Sequence, residues 1–151
     1  MKTRSFHILM ADDDPDDREF TRQALVESRV ANEIHFVEDG RQLLDYLRGP
    51  GAYAAPGSAP RPGIILLDLN MPRMDGREAL KEIKADPALR QIPIVVLTTS
   101  KAEEDILRSY DLGANSFITK PVTFAGLVDV MGELGRYWFE LVELSPPEPG
   151  V

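Results

Sequence analysis

Apolar residues gather in five short runs, at residues 6–11, 33–37, 64–67, 92–97 and 115–119. Between them the apolar positions change period. Phe20, Ala24 and Leu25, then Leu43, Leu44 and Leu47, then Ala79, Leu80 and Ile83, then Ile106, Leu107 and Tyr110 recur at spacings of three and four, as on one face of a helix. Strand-like runs alternating with helical patterns predict an α/β fold with a parallel sheet.

The first, third and fourth runs are continuously apolar, which suits central strands covered by helices on both faces. The second and fifth mix in polar residues, which suits edges. The arrangement expected is therefore a flavodoxin-like, doubly wound sheet of five parallel strands in the order 2-1-3-4-5, flanked by five helices. Helix ends are marked as well. Asp14 precedes Pro15 and can cap the first helix. Ser100 to Glu103 has the form of a capping box for the fourth, Gly113 can end that helix, and Thr123 can cap the last. Residues 48–63, rich in Gly, Pro and Ala, read as an exposed extended loop. A single domain is expected over residues 1–144, with a disordered, proline-rich tail at 145–151.

The final helix should run from about Thr123 to Leu144. Leu127, Met131, Leu134, Trp138 and Leu141 form one stripe able to dock it on the sheet. Phe124, Val128, Val130, Tyr137, Phe139 and Val142 lie off that stripe, more apolar surface than a monomer leaves wet. This predicts a homodimer through the fourth helix, the fifth strand and the final helix, with Tyr137, Trp138 and Phe139 as anchors.

With 151 residues, 43% of them hydrophobic, the chain can bury one core without metal or disulfide help. It has no cysteine, which excludes thiolate chemistry and Cys-based metal centres. His7 and His35 stand isolated in strand-like stretches and are expected to be satisfied structural histidines. No apolar run approaches the roughly 18 residues that span a bilayer, and no leader precedes the first strand, so a cytoplasmic protein without membrane contact is expected. A net charge of −8 gives no basic stripe for nucleic acid.

The carboxylates are locally concentrated, and that placement carries chemistry. Sites in open α/β sheets form at the carboxyl ends of the strands. Asp12 and Asp13 end the first strand, Asp68 the third, Thr98 the fourth and Lys120 the fifth. Three bare carboxylates so close repel by an energy on the order of kcal/mol per pair. A hard divalent cation between them relieves this, and Mg²⁺ suits a site with few carboxylates and positions left for water and phosphate.

The stretches "ILMADDDPDD", "IILLDLNMPRMDG", "IVVLTTS" and "GANSFITKP" resemble the signatures of two-component response-regulator receiver domains, over residues 6 to about 143. The resemblance implies that Asp68 is the phosphoacceptor for a sensor histidine kinase and that Asp12 and Asp13 hold Mg²⁺. Asn70 would add its backbone carbonyl to the metal, and Thr98 and Lys120 would bind the phosphoryl oxygens. Phe117 would be the switch aromatic, drawn into space that Thr98 vacates, while Asn70 and Ser100 would flank the hydrolytic water and tune phosphoryl lifetime. The loop at 49–63 and the aromatic "GRYWFELVEL" tail are similar to the small regulators paired with phytochrome-type kinases. Two other classes compete. A phosphatase of the haloacid dehalogenase type also forms an aspartyl phosphate, but needs D-x-D, and here Asn70 cannot shuttle a proton. A degenerate receiver serving only as an interaction module would lack site residues, and all five are present.

Overall fold

The computed structural model describes residues 7–28, 33–49, 61–69, 71, 74, 76–98, 102–103 and 116–144, with backbone alone at 98, 116 and 137–144. The elements are β1 (His7–Ala11), α1 (Pro15–Glu27), β2 (Ile34–Val37), α2 (Gly40–Arg48), β3 (Pro62–Asp68), α3 (Gly76–Ala85), β4 (Ile94–Thr98), β5 (Ser116–Thr119) and α4 (Phe124–Leu144). The strands form one sheet in the order β2-β1-β3-β4-β5, and every pairing is parallel.

Strand parity builds the core in two layers, because successive side chains point to opposite faces. Leu9, Ala11, Ile65, Leu67, Ile94 and Val96 pack with Leu43 and Leu44 of α2 and Leu80 and Ile83 of α3. Their neighbours Ile8, Met10, Ile64, Leu66, Val95 and Leu97 pack with Ala24 and Leu25 of α1 and Met131 of α4. Continuous apolar runs are thus what a sheet covered on both faces requires.

The helix signals work as expected at two ends, and Gly49 closes a third that the sequence left unmarked. Asp14 caps α1, accepting from the backbone N–H of Asp16 at 2.9 Å. Thr123 Oγ1 accepts from Gly126 N–H at 3.0 Å at the start of α4. Gly49 closes α2 at φ 85°, the left-handed conformation in which glycine escapes the Cβ clash. Four helices are present among the described residues. Of the helix expected after β4, Ala102 and Glu103 are helical, and the rest lies outside the described residues, as do Ser100 and Gly113.

Two expectations change. β3 begins at Pro62, within the stretch read as loop; proline is tolerated there because the first residue of a strand can do without a ladder N–H. On α4, Leu127 and Leu134 dock with Met131 as expected, but Val128 and Val130 also pack against the core, half-buried. The docked face is therefore wider than one stripe. Phe124 remains 43% exposed. Among the described residues, no helix is long and apolar enough to cross a membrane.

Candidate functional site

The register decides which strand ends meet. Ala11 pairs with Leu67, so Asp12 emerges beside Asp68; Asp68 pairs with Leu97, and Thr98 with Thr119, just before Lys120. The carboxylates of Asp12, Asp13 and Asp68 consequently each offer an oxygen within 4.8 Å of the others. Asp12 and Asp68 are buried, at 0% and 5% exposure, whereas Asp13 faces solvent.

Lys120 bridges the cluster. Its Nζ donates to Asp12 Oδ2 at 3.1 Å, to Asp68 Oδ2 at 3.1 Å and to Asp17 Oδ2 at 2.9 Å. Asp12 is held from several sides: its Oδ1 accepts from Asp14 N–H at 3.0 Å, its carbonyl from Arg18 Nη1 at 2.7 Å, and its own N–H donates to Val37 O at 3.0 Å. Burial pushes the Asp12 carboxyl up to about 6, against the opposing pull of the Asp14 N–H and the Lys120 charge and with a push from Asp68. For Lys120, burial works to lower the pKa, but the hydrogen bond to Asp17 and the charges of Asp12 and Asp68 more than reverse it, so the side chain stays an ammonium. One ammonium therefore faces more than one carboxylate, and the pocket keeps an excess of negative charge and hard oxygen donors. That donor set fits a small divalent cation with oxygen preference.

Two glycines make close backbone contacts just after Asp68. Gly76 N–H donates to Leu69 O at 3.0 Å, and a Cβ there would lie 2.7 Å from Asp68 O and 2.7 Å from Leu69 Cα. Gly40 N–H donates to Met74 O at 2.8 Å, and a Cβ on Gly40 would run into Met74. Gly76 is thus a packing requirement: only a bare Cα lets α3 start against the backbone of the aspartate.

Asp12, Asp13, Asp68 and Lys120 come together as the sequence led one to expect. Thr98 sits at the end of β4, but its side chain lies outside the described residues, together with Asn70, Ser100 and the side chains of Tyr137, Trp138 and Phe139. Phe117, on β5, is buried at 8% exposure in the layer beneath α2 and α3. Sequence reasoning missed Asp17 and Arg18. Asp17 stands in the same "DDDPDD" stretch, three residues past the cap, where the first turn of α1 carries it back over the strand ends. Beside the pocket, Asp17, Phe20, Lys120, Val122, Phe124 and Leu127 line a groove of about 340 Å³ between α1 and α4.

Fold and site together define a class: a doubly wound parallel α/β protein with an acidic, lysine-bridged pocket at the carboxyl edge of its sheet. Residues 8–131 match the response regulator receiver domain, and the chain belongs to that family, the receivers of two-component signalling. It is 39% identical over 137 residues to response regulator Rcp1 of Synechocystis, covering 91% of each chain. The crystal structure of phosphorylated RcpA, a cyanobacterial phytochrome response regulator, superimposes with a TM-score of 0.80 at 41% identity, over 91% of this chain and 96% of that one. The Mn²⁺-bound form of Rcp1 does so with a TM-score of 0.79 at 37% identity, over 95% and 99%.

Proposed function

We propose that this chain is a stand-alone phosphorylation switch, a single receiver domain over residues 1–144 that takes its phosphoryl group from the phosphohistidine of a phytochrome-type sensor kinase onto Asp68. The observation that carries this reading is the aspartate itself: a buried carboxylate at the end of a central strand, 3.1 Å from a lysine ammonium and beside two further carboxylates. An oxygen of Asp68 attacks phosphorus, the bond from phosphorus to the histidine nitrogen breaks, and the imidazole leaves with the electron pair and takes up a proton. Lys120 offsets the charge on the phosphoryl oxygens, and the rigid sheet edge aims the nucleophile, so positioning and electrostatics supply most of the catalysis.

Asp12, Asp13 and Asp68 would hold Mg²⁺, with the backbone carbonyl of Asn70. Bound there, the cation would neutralise carboxylate charge and orient phosphoryl oxygens. The similarity to a Mn²⁺-bound regulator supports a divalent ion, and the oxygen-only donor set favours magnesium. Thr98 is assigned to the phosphoryl group and to the switch. Phe117 already fills an inward site, so in this reading phosphorylation locks its position through Thr98. Asn70 and Ser100 are assigned to the path of the hydrolytic water and so to phosphoryl lifetime. Turnover is confined to self-phosphorylation and slow self-hydrolysis, since no general acid follows Asp68 in a D-x-D pair. The working form is a cytoplasmic homodimer packed through the region after β4, β5 and α4.

Incubation with Mg²⁺ and a small acyl phosphate, read by intact mass, tests the core of this reading. Wild type should take up one acid-stable, base-labile phosphoryl group, and Asp68→Asn none, with the fold unchanged. Full labelling of Asp68→Asn would move the acceptor elsewhere. Release of many equivalents of phosphate per chain would instead mark a phosphatase.

A further inference from the structure

The sheet has a second cluster of ligating side chains, at the rim opposite the acidic pocket. His7 opens β1 and His35 lies in β2, with Ile8 paired to Ile34 and Leu9 to His35. Ile8 N–H donates to Glu33 O at 2.8 Å, which extends the ladder one residue beyond β2. By strand parity His7, Glu33 and His35 then share the face that carries Leu9, Ala11 and Val37. His7 Nδ1 lies 3.1 Å from Glu33 Oε1, and His35 Nε2 lies 4.0 Å from Glu33 Oε2. The two imidazoles meet edge to face, with centroids 5.4 Å apart, and the Tyr46 ring stands 6.1 Å from that of His35 on the inner side.

Neither histidine is the satisfied structural residue expected from its isolation in the sequence. Among the described residues, His7 Nδ1 and His35 Nε2 are both closed off from solvent without a hydrogen-bond partner, because the 3.1 Å approach of Glu33 to His7 lacks hydrogen-bond geometry. Buried polar atoms are nearly always paired, so two orphaned nitrogens turned toward one carboxylate call for a shared partner. The three residues offer ligand atoms all within 4.8 Å of one another.

We propose that His7, Glu33 and His35 form a binding site for a borderline divalent transition metal, with Zn²⁺ as the reference ion. Two neutral imidazoles and a carboxylate are a three-ligand zinc set that leaves a fourth position for water. Nitrogen donors also separate this site from the oxygen-only pocket, which prefers Mg²⁺. Tetrahedral zinc, with bonds of about 2.0–2.1 Å, needs ligand atoms roughly 3.3 Å apart. The His7 to Glu33 pair, at 3.1 Å, is close to that separation, and His35, 4.0 Å from the carboxylate's other oxygen, has to move inward to close the site. Glu33, with its side chain 67% exposed, gives the ion a way in from solvent. A bound ion would pin the edge strand β2 to β1.

Zn²⁺ titrated calorimetrically into the full chain, with excess Mg²⁺ holding the acidic pocket, tests this. One zinc per chain is expected, and His35→Gln and Glu33→Gln should each weaken it by roughly tenfold or more. Co²⁺ in place of zinc should give the visible absorption of a low-coordinate nitrogen site, lost in both variants. Glu33 is exposed, so Glu33→Gln keeps the test open even where His35→Gln fails to fold, and circular dichroism with Mg²⁺-dependent labelling reports the fold of each. Zinc binding that Mg²⁺ abolishes, or that neither substitution weakens, would place the ion in the acidic pocket and overturn the proposal. Absence of zinc binding to wild type would leave an ordinary histidine–carboxylate pair and overturn it equally.

Discussion

Replacing Lys120 by methionine keeps most of the side chain's length and removes the charge that bridges Asp12, Asp17 and Asp68. The effect should depend on pH. In the folded protein burial raises Asp12 to about 6 from its ordinary 3.8. A raised acid favours the protonated folded state, so this contribution is fully present below pH 3.8 and is lost as pH rises through about 6. The span corresponds to about 3 kcal/mol. Lys120 is one of the groups that pull Asp12 down, so without it the loss extends to higher pH. Breaking a buried pair by removing one partner costs about 3–5 kcal/mol when the other charge is left stranded. At pH 8, well above the value of about 6 for Asp12, its carboxylate is left without the lysine's charge, and Lys120→Met should destabilise the metal-free protein by about 3 kcal/mol. At pH 5 Asp12 is already mostly protonated, and the loss should fall to less than about half of that. Asp17, at 38% side-chain exposure, is screened and adds little. Urea denaturation followed by circular dichroism, with chelator, at both pH values measures this. Mg²⁺ at pH 8 should then recover more stability in the variant than in wild type, because it supplies the missing positive charge. An equal loss at pH 5 and pH 8 would show that Lys120 acts by packing and refute the electrostatic account.

Asp13→Ala should weaken Mg²⁺ binding in a calorimetric titration far more than Asp14→Ala, which should instead lose about 1 kcal/mol of stability as the cap of α1 is removed. Gly76→Ala, which a helix start would otherwise welcome, should destabilise by roughly 1–3 kcal/mol in thermal or urea unfolding, because its Cβ meets the backbone of Asp68 and Leu69. Light scattering should find wild type dimeric at micromolar concentration and a Tyr137→Glu/Phe139→Glu double variant monomeric; a monomeric wild type, with or without phosphodonor, would end the dimer reading.

The sheet order could be read from the chain because burial on both faces writes itself as uninterrupted apolar runs, as in Ile64 to Leu67, while the half-covered edges Ile34–Val37 and Ser116–Thr119 carry polar residues. The pocket followed from the order, since adjacent strands bring their ends together whatever the details of packing. Asp17 and Arg18 could not be read in the same way. Both sit half-buried on the first turn of α1, where the sequence does not say which carboxylate leans toward the lysine. Val128 and Val130 were misjudged because an α-helix packed against both a sheet and a neighbouring helix buries a broader arc than a single stripe. The histidines were misjudged for want of register: residues 7, 33 and 35 look unrelated until Ile8 is known to pair with Ile34.

The four strand ends that furnish Asp12, Asp68, Thr98 and Lys120 all open onto one rim, where β2 adds only the Val37 carbonyl that holds Asp12. α2 runs back the other way, so Gly49 and Arg61 both stand at the far rim, and any chain joining them must begin and finish there. Tyr46, Leu47, Arg61, Pro62, Leu89 and Ile92 line that end of the molecule. The polypeptide thus separates inheritance from improvisation. Length and composition can drift between α2 and β3, and new ligands can be tried near His7 and His35, at the rim away from the acidic pocket. A lineage of such proteins can therefore keep one reaction at one rim while it diversifies what the opposite rim binds.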